Sequence, residues 1–139
     1  MRLTFAICVS LILSTLAYSQ SGNDPEYVIK RMVDTGAFEG HDQKVIGRLG
    51  DGGAVLLTKI LAGSDLTSNT IDNALVVLAG IFADPSLVET TSNRQPRTAL
   101  LLLRYLDLST KDAALKKRIA DTGKYVQDRY TASLQATKQ

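Results

Sequence analysis

One stretch of sequence decides the fold: Gly47-Arg48-Leu49-Gly50-Asp51-Gly52-Gly53-Ala54-Val55. Much of its pattern returns 33 positions later as Gly80-Ile81-Phe82-Ala83-Asp84-Pro85-Ser86-Leu87-Val88. In each copy a small residue ends one helix, a tight corner follows, and an Asp is expected to cap the next helix. The shorter pattern Asp-x-x-x-Val also begins at Asp24. We expect each Val to pack inward one turn after its Asp. A period of this size is typical of stacked helix pairs.

Helix start and stop signals divide the remaining sequence into an all-α arrangement of about six or seven helices. The predicted helices run from Asp24 to Gly36, over 42–49, 51–63 and 68–83, from Asp84 for a short segment, over 96–108, and onward from Ser109 or Thr110. Two segments, Ile71–Phe82 and Ala99–Leu106, are apolar nearly all round. Such helices are buried on most sides, so we place both at the centre of the domain. This predicts that four leucines are buried: Leu75, Leu78, Leu101 and Leu102.

The N-terminus has the pattern of a secretory signal peptide over residues 1–19. Arg2 precedes a short apolar run, and Ala17 and Ser19 occupy the −3 and −1 positions of a cleavage site before Gln20. The apolar run is shorter than the roughly 20 residues that span a bilayer, although an uncleaved anchor is the alternative. We therefore predict an exported protein, periplasmic or secreted, with no stable membrane span after cleavage.

After cleavage, the chain is predicted to contain a short linker over residues 20–23, a helical-repeat domain over 24–131 and a frayed tail over 132–139. The full sequence has one cysteine, Cys8, which lies in the predicted signal peptide, and one histidine, His41. Zinc sites of the usual kinds need more Cys and His ligands than this. We predict no metal, no cofactor and no disulfide. The formal net charge of +2 is too small to indicate nucleic-acid binding.

The corner motifs resemble those of HEAT-like repeats of the PBS-lyase type. In that family the run Leu-Gly-x-Leu-Gly-Asp-x-x-Ala-Val-x-x-Leu joins one repeat to the next, and residues 46–57 and 78–88 are similar to it. The resemblance extends over roughly residues 24–107 and departs from the pattern in the polar segment 89–95. It implies a short right-handed α-solenoid or HEAT-like stack. It also implies a protein-binding surface, since such stacks generally bind other proteins.

Charge is divided unevenly along the predicted mature chain. Residues 20–93 carry 5 basic and 10 acidic residues, whereas residues 94–139 carry 10 basic and 4 acidic residues. The basic part predicts head-to-tail self-association with the acidic part of another copy, or a surface for an unidentified, acidic protein partner or for an anionic membrane. Some of this charge is also expected to pair within its own helix, from Asp112 to Lys116 and from Lys117 to Asp121. The candidate partner-binding residues are Arg94, Arg97, Arg104, Lys111, Lys116, Lys117 and Arg118.

Residues suited to catalysis have simpler structural interpretations. Asp51 and Asp84 could serve as paired carboxylates, but both are placed as helix caps. His41 is followed by Asp42, yet adjacent residues do not face one another on a helix. The sequence thus predicts no catalytic residue and favours an exported, non-enzymatic protein that mediates protein–protein interaction. The alternative is a small exported hydrolase or carbohydrate-active enzyme that uses Asp or Glu carboxylates.

Overall fold

The computed structural model describes residues 22–138, which form an all-α domain. The predicted signal peptide and residues 20 and 21 of the predicted linker lie outside the described residues. Within 22–138 there are six α-helices, two short 3-10 segments and no strand. The helices are α1 (Pro25–Thr35), α2 (Asp42–Ile46), α3 (Asp51–Ala62), α4 (Ser68–Ile81), α5 (Arg97–Leu108) and α6 (Ala113–Thr137). The 3-10 segments, Pro85–Leu87 and Thr91–Arg94, lie between α4 and α5.

Helices that follow one another in the chain pack as pairs: α1 with α2, α3 with α4, and α5 with α6. Corresponding members of the pairs also touch, so that α3 packs between α1 and α5 while α4 packs between α2 and α6. Helix α4 additionally contacts α1, whereas α5 packs mainly against α3 and α6. Helix α4 is therefore enclosed by its neighbours, while α5 lies at one end and has neighbours on one side.

This arrangement confirms one of the two predicted central helices and corrects the other. Leu75 and Leu78 of α4 are buried, as expected. In α5, Leu102 is 4% exposed, but Leu101 is 68% exposed, so the prediction that Leu101 is buried is wrong. Consecutive residues point about 100° apart on a helix, and the neighbours of α5 cover only the side that carries Leu102.

Two of the three Asp-x-x-x-Val motifs are local caps, as predicted. Asp24 accepts a hydrogen bond from the backbone N–H of Glu26 at the start of α1, and Val28 is buried. Asp84 accepts one from the backbone N–H of Ser86, at 3.1 Å, and Val88 is buried. The segment that Asp84 caps is a 3-10 turn and not the short α-helix that the sequence suggested.

The third motif works differently, and its predicted role as a local cap is wrong. Gly50 occupies the N-cap position of α3, and Asp51 is the first residue inside that helix. The carboxylate of Asp51 accepts hydrogen bonds from the backbone N–H groups of Thr98, at 2.9 Å, and Ala99, at 3.1 Å. Asp51 therefore caps α5, whose own N-cap residue provides no capping side chain. Val55, which was expected to pack inward, is exposed, and its neighbour Ala54 is buried.

The last helix is longer than predicted and begins later. Its cap is Asp112, which accepts from the backbone N–H groups of Ala114 and Leu115, and not Ser109 or Thr110. The helix continues without a break through Gly123 and ends at Thr137. The expected frayed tail from residue 132 is thus helical as far as 137. The short helix α2 ends at Ile46, three residues earlier than predicted.

We expect Asp51→Ala to lower the free energy of unfolding by about 2–4 kcal/mol, because it leaves two backbone N–H groups in a largely buried place without an acceptor. Asp112→Ala, which removes an exposed local cap, is expected to cost about 0.5–2 kcal/mol. Urea unfolding of both variants measures the difference. A loss for Asp51→Ala no larger than that for Asp112→Ala would show that the link between α3 and α5 is energetically minor.

The two adjacent leucines of α5 should respond differently to truncation. Leu102→Ala is expected to lower the free energy of unfolding by about 2–5 kcal/mol, since it leaves a cavity in the core. Leu101→Ala should change it by less than about 0.5 kcal/mol, as is usual for exposed positions. Thermal and urea unfolding of the pair test the orientation of α5, and equal losses would contradict it.

Candidate partner-binding surface

Helix α5 carries a row of exposed apolar side chains on the side that faces away from the core. Its buried side is formed by Ala99, Leu102, Leu103 and Leu106. Leu101, Tyr105 and Leu108, at spacings of four and three residues, lie on the opposite side as a single row, which we call the α5 stripe. Their exposed fractions are 68%, 58% and 77%. Single exposed leucines are common, but a contiguous apolar row is typical of an interaction surface.

Two of the predicted partner-binding residues flank this row. Arg97 lies one turn before Leu101, and Arg104 lies between Leu101 and Leu108 on the same side of the helix. Both arginines are exposed, and neither forms an ion pair with another residue in the range 22–138. Arg97 donates a hydrogen bond from Nε to Oε1 of Gln95 at 3.0 Å. The α5 stripe is therefore apolar along its centre and positively charged beside it.

Three other predicted partner-binding residues are already paired within the chain. Lys117 forms the expected ion pair with Asp121, at 3.0 Å. Lys116 pairs with Asp107 and not with the expected Asp112, and its Nζ also donates to the backbone carbonyl of Asp107 at 2.6 Å. Arg118 binds the carboxylate of Asp72 through two hydrogen bonds, at 2.8 and 3.1 Å, which tie α6 to α4. A partner would have to compete with these bonds, so the three residues are weaker candidates than Arg97 and Arg104.

The remaining two predicted residues lie apart from the α5 stripe. Lys111 is exposed in the connection between α5 and α6 and has no ion-pair partner among the described residues. Arg94 is half-buried at the end of the second 3-10 segment. Of the seven candidates, the structure thus brings only Arg97 and Arg104 together on one helix face.

The apolar row itself was missed by the sequence analysis, although a signal for it exists. Arg97 and Arg104 are seven residues apart, as are Leu101 and Leu108, so all four share one side of a helix. A helix that buries that side would bury two arginines. The spacing of the arginines could therefore have identified the solvent-facing side of α5 and, with it, the exposure of Leu101.

The carboxylates considered for catalysis are engaged in local structure. Asp51 is bonded to the start of α5, as described above. Hydrogen bonds from the side chain and the backbone N–H of Ser86, together with the positive charge of Arg129, hold the pKa of Asp84 below its ordinary value. A lowered pKa keeps Asp84 ionised at neutral pH, which suits a capping carboxylate and not a general acid.

His41 and Asp42 do not form a pair. His41 is exposed, and its Nε2 lies 3.1 Å from the backbone carbonyl of Gly22. Asp42 is buried, where it accepts hydrogen bonds from Arg31 and from the backbone N–H of Glu39. The guanidinium of Arg31 gains more from the bond with Asp42 than it loses by desolvation, which raises the pKa of Arg31. Across residues 22–138, no three His, Cys, Asp or Glu side chains come together as ligands for a metal ion.

Comparisons with protein-family models, with curated proteins and with solved structures find no match to this chain. The resemblance to HEAT-like repeats thus stays a prediction from the corner motifs. None of the helices described between residues 22 and 138 is both long enough and apolar enough to cross a membrane.

Proposed function

We propose that this protein is an exported, non-enzymatic helical-repeat protein that binds another protein through the α5 stripe. The observation that carries the proposal is the contiguous exposure of Leu101, Tyr105 and Leu108, with Arg97 and Arg104 beside them. Large apolar side chains in the centre and cationic groups beside them are the usual composition of a protein-binding patch. Helix α5 presents this patch from a folded scaffold, so little ordering would be needed when a partner binds.

The packing of the helix pairs supports the repeat interpretation. Contacts run from α1 through α3 to α5 in one series and from α2 through α4 to α6 in the other. This order is the one expected for a short HEAT-like stack, in which each pair touches the next. In such a stack α5 and α6 form the last pair. An exposed apolar helix at the end of a stack is a natural binding surface, and no other helix between residues 22 and 138 covers this side of α5.

The partner best suited to the α5 stripe is an acidic amphipathic helix. The stripe extends over two helical turns, about 10 Å, which matches anchors at positions i, i+4 and i+7 of a second helix. Glutamates or aspartates beside those anchors would pair with Arg97 and Arg104. A symmetric contact between two copies of α5 is less suitable, because it would bring the same arginines of both copies together.

The hydrolase alternative has less support. It requires carboxylates that converge on a substrate away from helix starts. Both carboxylates singled out for it, Asp51 and Asp84, accept backbone N–H groups at the beginning of a helix or turn. Substitution of either residue is therefore expected to lower the stability of the fold and not to remove a catalytic group.

We expect the purified protein to bind a labelled synthetic helix that has leucines at i, i+4 and i+7 and glutamates beside them. Fluorescence anisotropy should show at least tenfold weaker binding by Leu101→Ser, because a central apolar anchor is lost. The matched control is Leu134→Ser, which changes an exposed leucine of α6 and should bind normally. Arg104→Glu should also weaken binding, whereas Arg48→Glu, at an exposed position of the α2–α3 corner, should not.

Three outcomes would contradict this proposal. The first is equal binding of an otherwise identical peptide with lysines in place of the glutamates. The second is binding of anionic vesicles in preference to the acidic peptide. The third is concentration-dependent self-association, measured by sedimentation at low and high salt, that Leu101→Ser abolishes. The third result would favour a second copy of the chain as the partner.

Export is tested separately by the mass of the protein recovered from an export-competent host. We expect a product that begins at Gln20, because the signal peptidase recognises Ala17 and Ser19. Ala17→Arg should block this processing. A recovered wild-type product that still begins at Met1 would contradict export through a cleaved signal.

A further inference from the structure

A second surface, unrelated to the α5 stripe, is a cavity near the end of α6. The cavity has a volume of about 410 Å³ and lies between the Asp84–Ser86 corner, the second 3-10 segment and the C-terminal half of α6. Pro85, Ala132 and Ala136 contribute apolar walls, and Arg94 and Arg129 contribute positive charge. We call it the Arg94 cavity. Its volume falls in the range of small-molecule sites, which is about 300–1,000 Å³.

Two of the three charged groups that line this cavity already form hydrogen bonds within the chain. Asp84 accepts hydrogen bonds from the backbone N–H and the hydroxyl of Ser86, at 3.1 and 2.6 Å. Arg129 donates from Nε and Nη2 to the backbone carbonyl of Ala83, just beyond the end of α4, and its guanidinium lies 6.0 Å from the centre of the Tyr125 ring. These bonds are those of a turn cap and a helix-end cap.

Arg94 is the charged residue of the cavity that has no bonding partner among the described residues. Its guanidinium forms no ion pair and no hydrogen bond with any residue between 22 and 138, and its Nε is buried without an acceptor. The terminal Nη groups of Arg94 are neither bonded nor buried, so a carboxylate in the cavity can give the guanidinium the anionic partner that it lacks among these residues. By contrast, four cations of the neighbouring helix α6 each pair with an aspartate: Lys116, Lys117, Arg118 and Lys124.

We propose that the Arg94 cavity binds a small organic carboxylate with an apolar body. The carboxylate would take two hydrogen bonds from the Nη1 and Nη2 groups of the planar Arg94 guanidinium, a geometry that matches both groups. The apolar part would lie against Pro85, Ala132 and Ala136. A compact dianion such as phosphate is a poorer ligand, because the ionised carboxylate of Asp84 lines the same cavity and would repel the second charge.

The probe is hexanoate, titrated into the purified protein and followed by amide chemical shifts. We expect saturable binding at about millimolar concentration, as is usual for so small a ligand, with the largest shifts at Ala132, Ala136 and Arg94. Arg94→Gln should weaken hexanoate at least tenfold. The control Arg48→Gln removes an exposed arginine of the α2–α3 corner, away from the cavity, and should leave binding unchanged. 1-Hexanol, which has the same chain without the charge, should bind at least tenfold more weakly than hexanoate.

A second pair of variants keeps the test valid if Arg94→Gln proves unstable. Ala132→Leu fills the cavity from an exposed position of α6 and should abolish hexanoate binding, whereas Ala120→Leu, at an exposed position earlier on α6, should not. Equal binding of hexanol and hexanoate would overturn the proposal. So would tighter binding of inorganic phosphate, shifts that map elsewhere, or unchanged binding by Ala132→Leu. Because no residue of the α5 stripe lines the cavity, failure here and failure of the proposed function are distinguishable.

Discussion

The hydrogen bonds that the carboxylate of Asp51 accepts from the backbone N–H groups of Thr98 and Ala99 are the constraint on which the rest of the structure depends. The first N–H groups of any helix need acceptors, and α5 begins after Pro96 with no capping side chain of its own. Asp51 supplies the acceptor from the first turn of α3, so the starts of the two helices are held together. With its start fixed against α3 and its length packed on α6, α5 has one rotation about its axis. That rotation buries Leu102 and leaves Leu101 in solvent.

The corner before Asp51 allows this reach because it contains Gly50. The backbone of Gly50 has a positive φ of 55°, which glycine adopts without strain. A Cβ at this position would also lie 2.2 Å from the backbone carbonyl oxygen of Asn93, so the second 3-10 segment approaches the corner more closely than any side chain permits. Gly50 thus brings the segment before α5 against the start of α3, where the carboxylate of Asp51 can cap α5. The same Asp in a looser corner would cap its own helix.

The sequence predicted what depends on neighbours in the chain and missed what depends on distant residues. Asp24 and Asp84 bond two residues ahead, and Lys117 pairs four residues ahead, so their partners could be inferred from spacing. Asp51 bonds to residues 47 and 48 positions away, and Arg118 pairs 46 positions away with Asp72. An apolar α5 suggested burial on all sides, because hydrophobicity alone does not say which side has neighbours. The candidate site was accordingly predicted as a set of cations, of which Lys116 and Arg118 pair with other helices and Lys117 pairs within its own.

Between residues 94 and 111 four cations, Arg94, Arg97, Arg104 and Lys111, have no anionic partner among the described residues, and Pro96 separates Arg94 from the other three. Before it, Arg94 ends a 3-10 segment, is half-buried and lines a cavity to which Pro85, Ala132 and Ala136 contribute apolar surface. After it, Arg97 and Arg104 belong to α5 and face solvent beside the α5 stripe. Proline cannot donate the backbone hydrogen bond that would merge the two segments into one continuous helix. The break therefore directs Arg94 and Arg97 to different environments although they are three residues apart. A half-buried guanidinium in a small cavity suits the proposed small carboxylate, whereas exposed guanidinium groups beside an apolar row suit the proposed protein partner.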